Sequence, residues 1–194
     1  MAANPTTFVT PEEYLERELE SEEKNEYFNG EVFAIARPSA RHTWIVANVI
    51  GSFWQQLKGK PCRVSSSELR LRVTPTGLYT YPDVMVICGN VEVAPEQKDT
   101  VLNPVVIVEV LSPSTQDYDR GQKFQHYRTL PSLIDYLMVA QDEPRVEHWT
   151  RQSENRGLLS DFAGLGQVIP LASIDCILPL AQVYDKIEWT SGAQ

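Results

Sequence analysis

Apolar and polar residues change their spacing several times along the chain, and each change predicts an element. Thr10-Pro11-Glu12-Glu13 reads as a helix start, with Thr10 as cap, Pro11 in the first turn and Glu13 closing a capping box. The helix is expected to end between Leu19 and Glu22. Asn29-Gly30 suits the tight turn of a hairpin, joining a strand at residues 25–28 to one at 31–36. Between Ala40 and Leu57, the residues Trp44, Ile45, Val49, Phe53, Trp54 and Leu57 recur at helical spacing. Lys58-Gly59-Lys60-Pro61 then stops that helix. Residues 62–73 alternate, which predicts one strand with Leu69, Leu71 and Val73 inward and Glu68, Arg70 and Arg72 on a polar face.

A second strand is expected over residues 79–88, and a polar surface loop over 89–103. Residues 105–111 (VVIVEVL) are nearly all apolar, as in a central strand covered on both faces. Ser112-Pro113-Ser114 breaks it and leads to a helix expected over 117–130. Strands follow at 135–140 and 145–150, weaker ones near 157–162 and 168–170, and a closing helix over 178–187. Hairpins, one strand–helix–strand unit and helices around a mixed sheet make an α/β (α+β) fold.

The 194 residues fit one domain, 1–194, with a core from about residue 10 to 184. An apolar content of 42% with 22% charged residues excludes wholesale disorder. The formal charge of −9 weighs against indiscriminate nucleic-acid or membrane binding, but leaves room for a local basic groove. The longest nearly apolar stretch, Trp44 to Trp54, is too short to span a bilayer. No signal peptide is visible, and Cys62, Cys88 and Cys176 are scattered without a C-x-x-C pair. A reduced, cytoplasmic protein without disulfides is expected.

Four positions carry candidate chemistry. Glu109 interrupts an apolar strand and shares a face with Val105, Ile107 and Leu111, so its carboxylate needs a cation, a hydrogen-bonded partner or a raised pKa. Its bland alternative is a strand-end pair with an arginine. Asp83, in Tyr81-Pro82-Asp83, is a turn cap on its own, but it opens a strand expected beside that of Glu109. Two carboxylates at adjacent strand ends form a hard oxygen site suited to Mg²⁺. Lys123 lies four residues after Asp119, which describes an ordinary surface pair, yet it shares its stripe with Tyr127 and Leu130 and so faces the sheet. Glu68 reads either as part of a solvated face or as a further acid. Glu31 in the hairpin and His42 at the start of the long helix are weaker candidates. No Ser–His–acid or Cys–His arrangement is apparent, and Gly51-Ser52 lacks the flanks of a nucleophile elbow.

Taken together, Tyr81-Pro82-Asp83-Val84, Val108-Glu109-Val110-Leu111-Ser112-Pro113-Ser114 and Asp119-Arg120-x-x-Lys123-x-x-x-Tyr127 resemble the Uma2 family. That family is abundant in cyanobacteria, belongs to the PD-(D/E)xK nuclease superfamily and is often described in terms of restriction endonucleases. The match extends to Tyr27-Phe28-Asn29-Gly30-Glu31 and His42 upstream and to Asp135-Tyr136-Leu137-Met138-Val139 downstream. The resemblance implies a restriction-endonuclease-like core, a mixed sheet flanked by helices. It implies Mg²⁺, with Mn²⁺ as a substitute, held by Asp83 and Glu109, and it matches Glu68 to a further acid of the site. The lysine usual two residues after the second acid is replaced by Leu111 and is matched instead by Lys123 on the next helix. Asp119, Arg120, Glu31 and His42 are accessory candidates.

A metal-dependent endonuclease acting on DNA, working as a homodimer, is the activity implied. In that role Lys123 would stabilise developing charge or serve as a base of lowered pKa. Arg37, Arg41, Arg63, Arg70, Arg72 and Arg120 are the candidates for holding DNA. The alternative is a catalytically inactive homodimer of the same fold that serves as an interaction module.

Overall fold

The computed structural model describes residues 8–95 and 97–189. Helix α1 (Pro11–Glu20) starts at the capping box expected, with Thr10 and Glu13 each bonding the other's backbone N–H. Strands β1 (Asn25–Phe28) and β2 (Glu31–Ala34) form the hairpin, with Asn29 and Gly30 both at positive φ. Helix α2 (Ala40–Leu57) follows, capped by Ser39, whose hydroxyl accepts from the N–H of His42.

The next six strands depart from a simple reading of periodicity. The alternating run 62–73 splits into β3 (Cys62–Ser66) and β4 (Arg70–Val73), which belong to different sheets. The run 79–88 likewise splits into β5 (Leu78–Thr80) and β6 (Val84–Cys88), broken at Tyr81-Pro82-Asp83. Proline at 82 lacks the N–H that a ladder requires there, so the chain changes sheets. The expected polar loop contains β7 (Val93–Ala94) and β8 (Gln97–Val101). Arg70, expected on a solvated face, is 1% exposed and held by Asp99 and Thr100. It is therefore unavailable to hold DNA.

Strand β9 (Val106–Leu111) is buried at every position, as its apolar run requires. A composite helix then covers residues 116–127: an α-turn at Gln116–Tyr118, a π-helical turn at Asp119–Lys123 and an α-turn at Phe124–Tyr127. Strands β10 (Asp135–Ala140), β11 (Arg145–Ser153) and β12 (Arg156–Ala163) complete the main sheet. The strand expected near 168–170 forms as β13 (Val168–Leu171) and pairs with β14 (Cys176–Pro179), and of the closing helix expected over 178–187 only one turn forms, Leu180–Val183.

The main sheet has the order β12-β11-β10-β9-β6-β3, with β9 and β10 parallel and the other pairs antiparallel. The second sheet has the order β2-β1-β5-β4-β8-β7. Alternation on β9 divides the core. Val106, Val108 and Val110 pack with Ile45, Val49, Phe53 and Leu57 of α2 and with the β13–β14 hairpin. Ile107 and Leu111 face the other way, toward Tyr127, Leu130, Tyr136 and the second sheet. Glu109 shares this second face.

The cysteines correct an expectation. Cys62 and Cys88 are register partners across β3 and β6 and form a disulfide, while Cys176 is free and buried. Their separation of 26 residues shows no pattern in sequence; only the strand register brings them together. No helix among the described residues is long and apolar enough to cross a membrane.

Candidate active site

The antiparallel ladder pairs Val84 with Val108. Continued by one residue, the same register sets Asp83 opposite Glu109, with both side chains on one face of the sheet. The backbone ties the two acids together. The Asp83 N–H donates to Glu109 Oε2 at 3.4 Å, and the Val110 N–H donates to Asp83 Oδ2 at 2.8 Å. Asp83 is fixed at the mouth of β6 because Pro82 ends the preceding strand; Glu109 is fixed by the middle of β9.

Lys123 reaches this pair from the composite helix. Its Nζ lies 3.1 Å from Glu109 Oε1, 3.0 Å from Glu26 Oε1 and 3.6 Å from Asp119 Oδ1. The lysine is displaced from the strand to the helix, and the ammonium meets the acid all the same. Its last carrier is the π-helical turn, a feature that recurs at functional sites. Glu109 also accepts from the Tyr127 hydroxyl at 2.7 Å. Glu26 accepts from Thr80 at 2.5 Å and from Tyr118 at 3.3 Å.

His42 completes the group from α2. Its Nε2 stands 3.0 Å from Asp83 Oδ2, while Nδ1 is buried without a hydrogen-bond partner among the described residues. Asp83 and His42 keep 18% and 13% of their side chains exposed, against 5% for Glu109 and 9% for Lys123. The cluster therefore meets solvent at Asp83 and His42 and is closed behind them.

Electrostatics divides these groups. Burial pushes Glu109 above the usual carboxylate range, Lys123 opposes that, and the neighbouring Asp83 and Asp119 push it higher still. Asp119 is raised too, mainly by burial. Lys123 pays the desolvation cost of burial, yet Glu109, Tyr127, Glu26 and Asp119 hold its pKa well above the ordinary lysine value. This direction is opposite to the lowered pKa that a lysine acting as a base would need, and the carboxylate neighbours favour the ammonium form. Three carboxylates around a single lysine, with Asp83 beside them, leave surplus negative charge, and a divalent cation offsets such a surplus. Mg²⁺ takes one or two carboxylates and fills its remaining positions with water and phosphate oxygens. Asp83 and Glu109 fit that demand. Among the described residues no three His, Cys, Asp or Glu side chains form a ready-made shell.

Other candidates lie elsewhere. Glu68 is not brought to the cluster: it sits in the turn between β3 and β4, 81% exposed, paired with Lys24 at 2.5 Å. The run was expected to stay one strand; its passage between sheets turns the carboxylate outward. Glu31 is exposed at the start of β2, opposite Phe28. Arg120 points away, bound to Glu147 and Gln116. Glu26, which sequence reasoning passed over, occupies the place foreseen for a third acid. It sits in a four-residue hairpin strand with no alternation to mark it.

Tyr127 supplies a first test of this packing. Tyr127→Phe removes the hydroxyl donated to buried Glu109; such a bond contributes about 0.5–1.5 kcal/mol, or about 1.5–3 kcal/mol where its acceptor is ionised. Urea denaturation should show a loss of about that size. A variant as stable as the wild type would mean that Glu109 does not depend on this donor.

The chain is similar to several known proteins. The Uma2 family model, described as "Putative restriction endonuclease", matches residues 11–180. The uncharacterized protein sll1609 of Synechocystis is 35% identical over 164 residues, which is 84% of this chain and 93% of that protein. A second Synechocystis protein, the uncharacterized slr1290, is 35% identical over 160 residues, 81% of this chain and 82% of its own. A crystal structure from Anabaena variabilis, titled as that of "a putative nuclease belonging to DUF820", superposes with a TM-score of 0.71. It covers 88% of this chain and 96% of that chain at 18% identity, so the two share a nuclease-like fold. With the family model spanning most of its length and relatives at this identity, the chain belongs to the Uma2 family.

Proposed function

We propose that the chain is a divalent-metal-dependent endonuclease that hydrolyses DNA phosphodiester bonds. The observation that carries this reading is the meeting of three groups from separate elements. Asp83 and Glu109 stand opposite each other on adjacent strands, and the Lys123 ammonium lies 3.1 Å from Glu109. Asp83 and Glu109 would hold Mg²⁺ or Mn²⁺, which supplies a bound water of lowered pKa and polarises a phosphoryl oxygen.

The remaining work belongs to the protein. Phosphodiester hydrolysis builds negative charge on the phosphoryl oxygens and the leaving oxygen, and a preorganised cation in a dry site stabilises it. Lys123 is that cation. Glu26 and Asp119 orient its Nζ, and Tyr127 fixes Glu109. The Val110 N–H and His42 orient Asp83 at the solvent-facing edge, where a substrate phosphate can approach. In this reading Lys123 acts through its charge, and the proton lost by the attacking water passes to bulk water at the solvent-facing edge.

The test is incubation of the purified protein with supercoiled, linear duplex and single-stranded DNA, in Mg²⁺ or Mn²⁺ and in chelator. The reading predicts products on at least one DNA form only when the divalent ion is present. Failure on every form would favour the inactive interaction module.

A further inference from the structure

The chain crosses from the second sheet to the main sheet at Tyr81-Pro82-Asp83, between β5 and β6. These three residues belong to no strand, and among the described residues none of them joins a turn or loop hydrogen bond of the backbone. Side chains must therefore hold the crossing in place. Proline keeps its own φ near about −65° and confines the residue before it to extended backbone. Tyr81-Pro82 is thus a stiff arm with Asp83 at its tip. The tip makes its contacts inside the cluster, with Glu109, the Val110 N–H and His42. The base of the arm is tied outside it.

That outer tie is the Tyr81 side chain. Its hydroxyl donates to Glu18 Oε1 at 2.9 Å. Glu18 stands on α1 and is itself held at both oxygens: the Asn25 N–H donates to Oε1 at 2.8 Å, and the Asn25 side-chain amide donates to Oε2 at 3.0 Å. The tyrosine hydroxyl thus meets a fixed acceptor where α1 gives way to β1. The Tyr81 ring has two cations over it, the Arg70 guanidinium and the Lys24 ammonium, each 5.8 Å from the centroid. Arg70 is buried, with Nε and Nη2 taken by Thr100 and Asp99 and Nη1 without a hydrogen-bond partner among the described residues. Burial of an incompletely bonded guanidinium is costly. Its place against the rings of Tyr81 and Tyr14 gives that burial a use.

We infer that Tyr81 is a positioning residue of the site. Held by Glu18 and by the cations over its ring, it sets, through the Tyr81-Pro82 arm, where the Asp83 carboxylate stands opposite Glu109. The inference rests on the reading of Asp83 as a metal ligand and extends it to residues that do not touch the cluster. Asp83 is the acid that needs such support. Glu109 sits within a strand buried at every position, whereas Asp83 lies outside its strand with 18% of its side chain open to solvent. A supporting residue that keeps a ligand in place is worth about 10–100-fold in metal affinity.

Tyr81→Phe keeps the ring and removes only the hydroxyl. Mn²⁺ is the probe, titrated calorimetrically into the full chain. The ring resonances of His42 in the metal-free chain, at constant pH, report its 3.0 Å contact with Asp83. The variant should bind Mn²⁺ about 10-fold more weakly or worse, and its His42 resonances should shift. Tyr27→Phe is the control. It removes another tyrosine hydroxyl from the packing around α1, one that donates to the Val9 carbonyl at 3.0 Å, and should leave both readouts at their wild-type values. A Tyr81→Phe chain with unchanged affinity or unmoved His42 resonances overturns the proposal. So does a Tyr27→Phe chain that changes both to the same extent, since the effect would then be one of general packing. A wild type that binds no Mn²⁺ would overturn the metal reading instead, and the His42 resonances would then decide by themselves whether Tyr81 places Asp83.

Discussion

Lys123→Met is expected to lose about 3–5 kcal/mol of folding stability, the cost of removing one partner from a buried ionic cluster. The side chain is 9% exposed, and its ammonium answers Glu26, Glu109 and Asp119 at once. Methionine fills a similar volume, so the loss reports charge rather than a cavity. What remains is three buried carboxylates, each of which must take a proton or draw in water. In a chain of this length a loss of that size lowers Tm by about 6–20 °C. A second substitution sharpens the test. In Lys123→Met/Glu109→Gln one of the orphaned charges is gone as well, and part of the lost stability should return, because removing both partners costs less than removing one. Calorimetry of the wild type, both single variants and the double variant measures the coupling. A Lys123→Met protein within about 1 kcal/mol of the wild type would show that the ammonium does not hold the cluster together.

Sequence reasoning was strongest where one element satisfies one rule. The helix at Ala40–Leu57 has the apolar stripe and the glycine stop that the sequence shows, and the structure adds Ser39 as its cap. Strand β9 is apolar on both faces because it is covered on both faces. The chain was misread where it changes partners. Alternation at residues 62–73 is genuine on each side of the break, but periodicity carries no information about which sheet a residue joins, so the crossing at Ser67–Leu69 was invisible. Arg70 was placed in solvent by the same alternation, when in fact it is enclosed by the second sheet and offset by Asp99. The pairing of Cys62 with Cys88 is a property of register and could not be read from spacing.

The candidate site divides along the same line. Glu109 was legible because a carboxylate inside an apolar strand demands an explanation. Asp83 and Lys123 were legible only jointly, through the family pattern, since each has an ordinary role when taken alone. His42 gained its meaning from the 3.0 Å contact with Asp83. Glu26 left no trace. It is brought to Lys123 by the pairing of β1 with β5, a contact between segments more than fifty residues apart, and nothing in its own strand sets it off. Glu68 shows the converse: the right residue type in a plausible run, carried away from the cluster by a turn.

The central claim is that Asp83 and Glu109, with Lys123, form a metal-dependent hydrolytic centre. Cleavage of DNA by the wild type and by Asp83→Asn, measured side by side in Mg²⁺ and in chelator, tests it most directly. Asparagine keeps the size of the side chain and an oxygen to accept the Val110 N–H, so the fold should persist while the anionic ligand is lost. Losing a group that stabilises charge in the transition state costs about 10²–10³ in rate, and a lost metal ligand should cost at least that. The account predicts Mg²⁺-dependent cleavage by the wild type, none in chelator, and a fall of that order or greater in Asp83→Asn. Equal cleavage by the two proteins would contradict it.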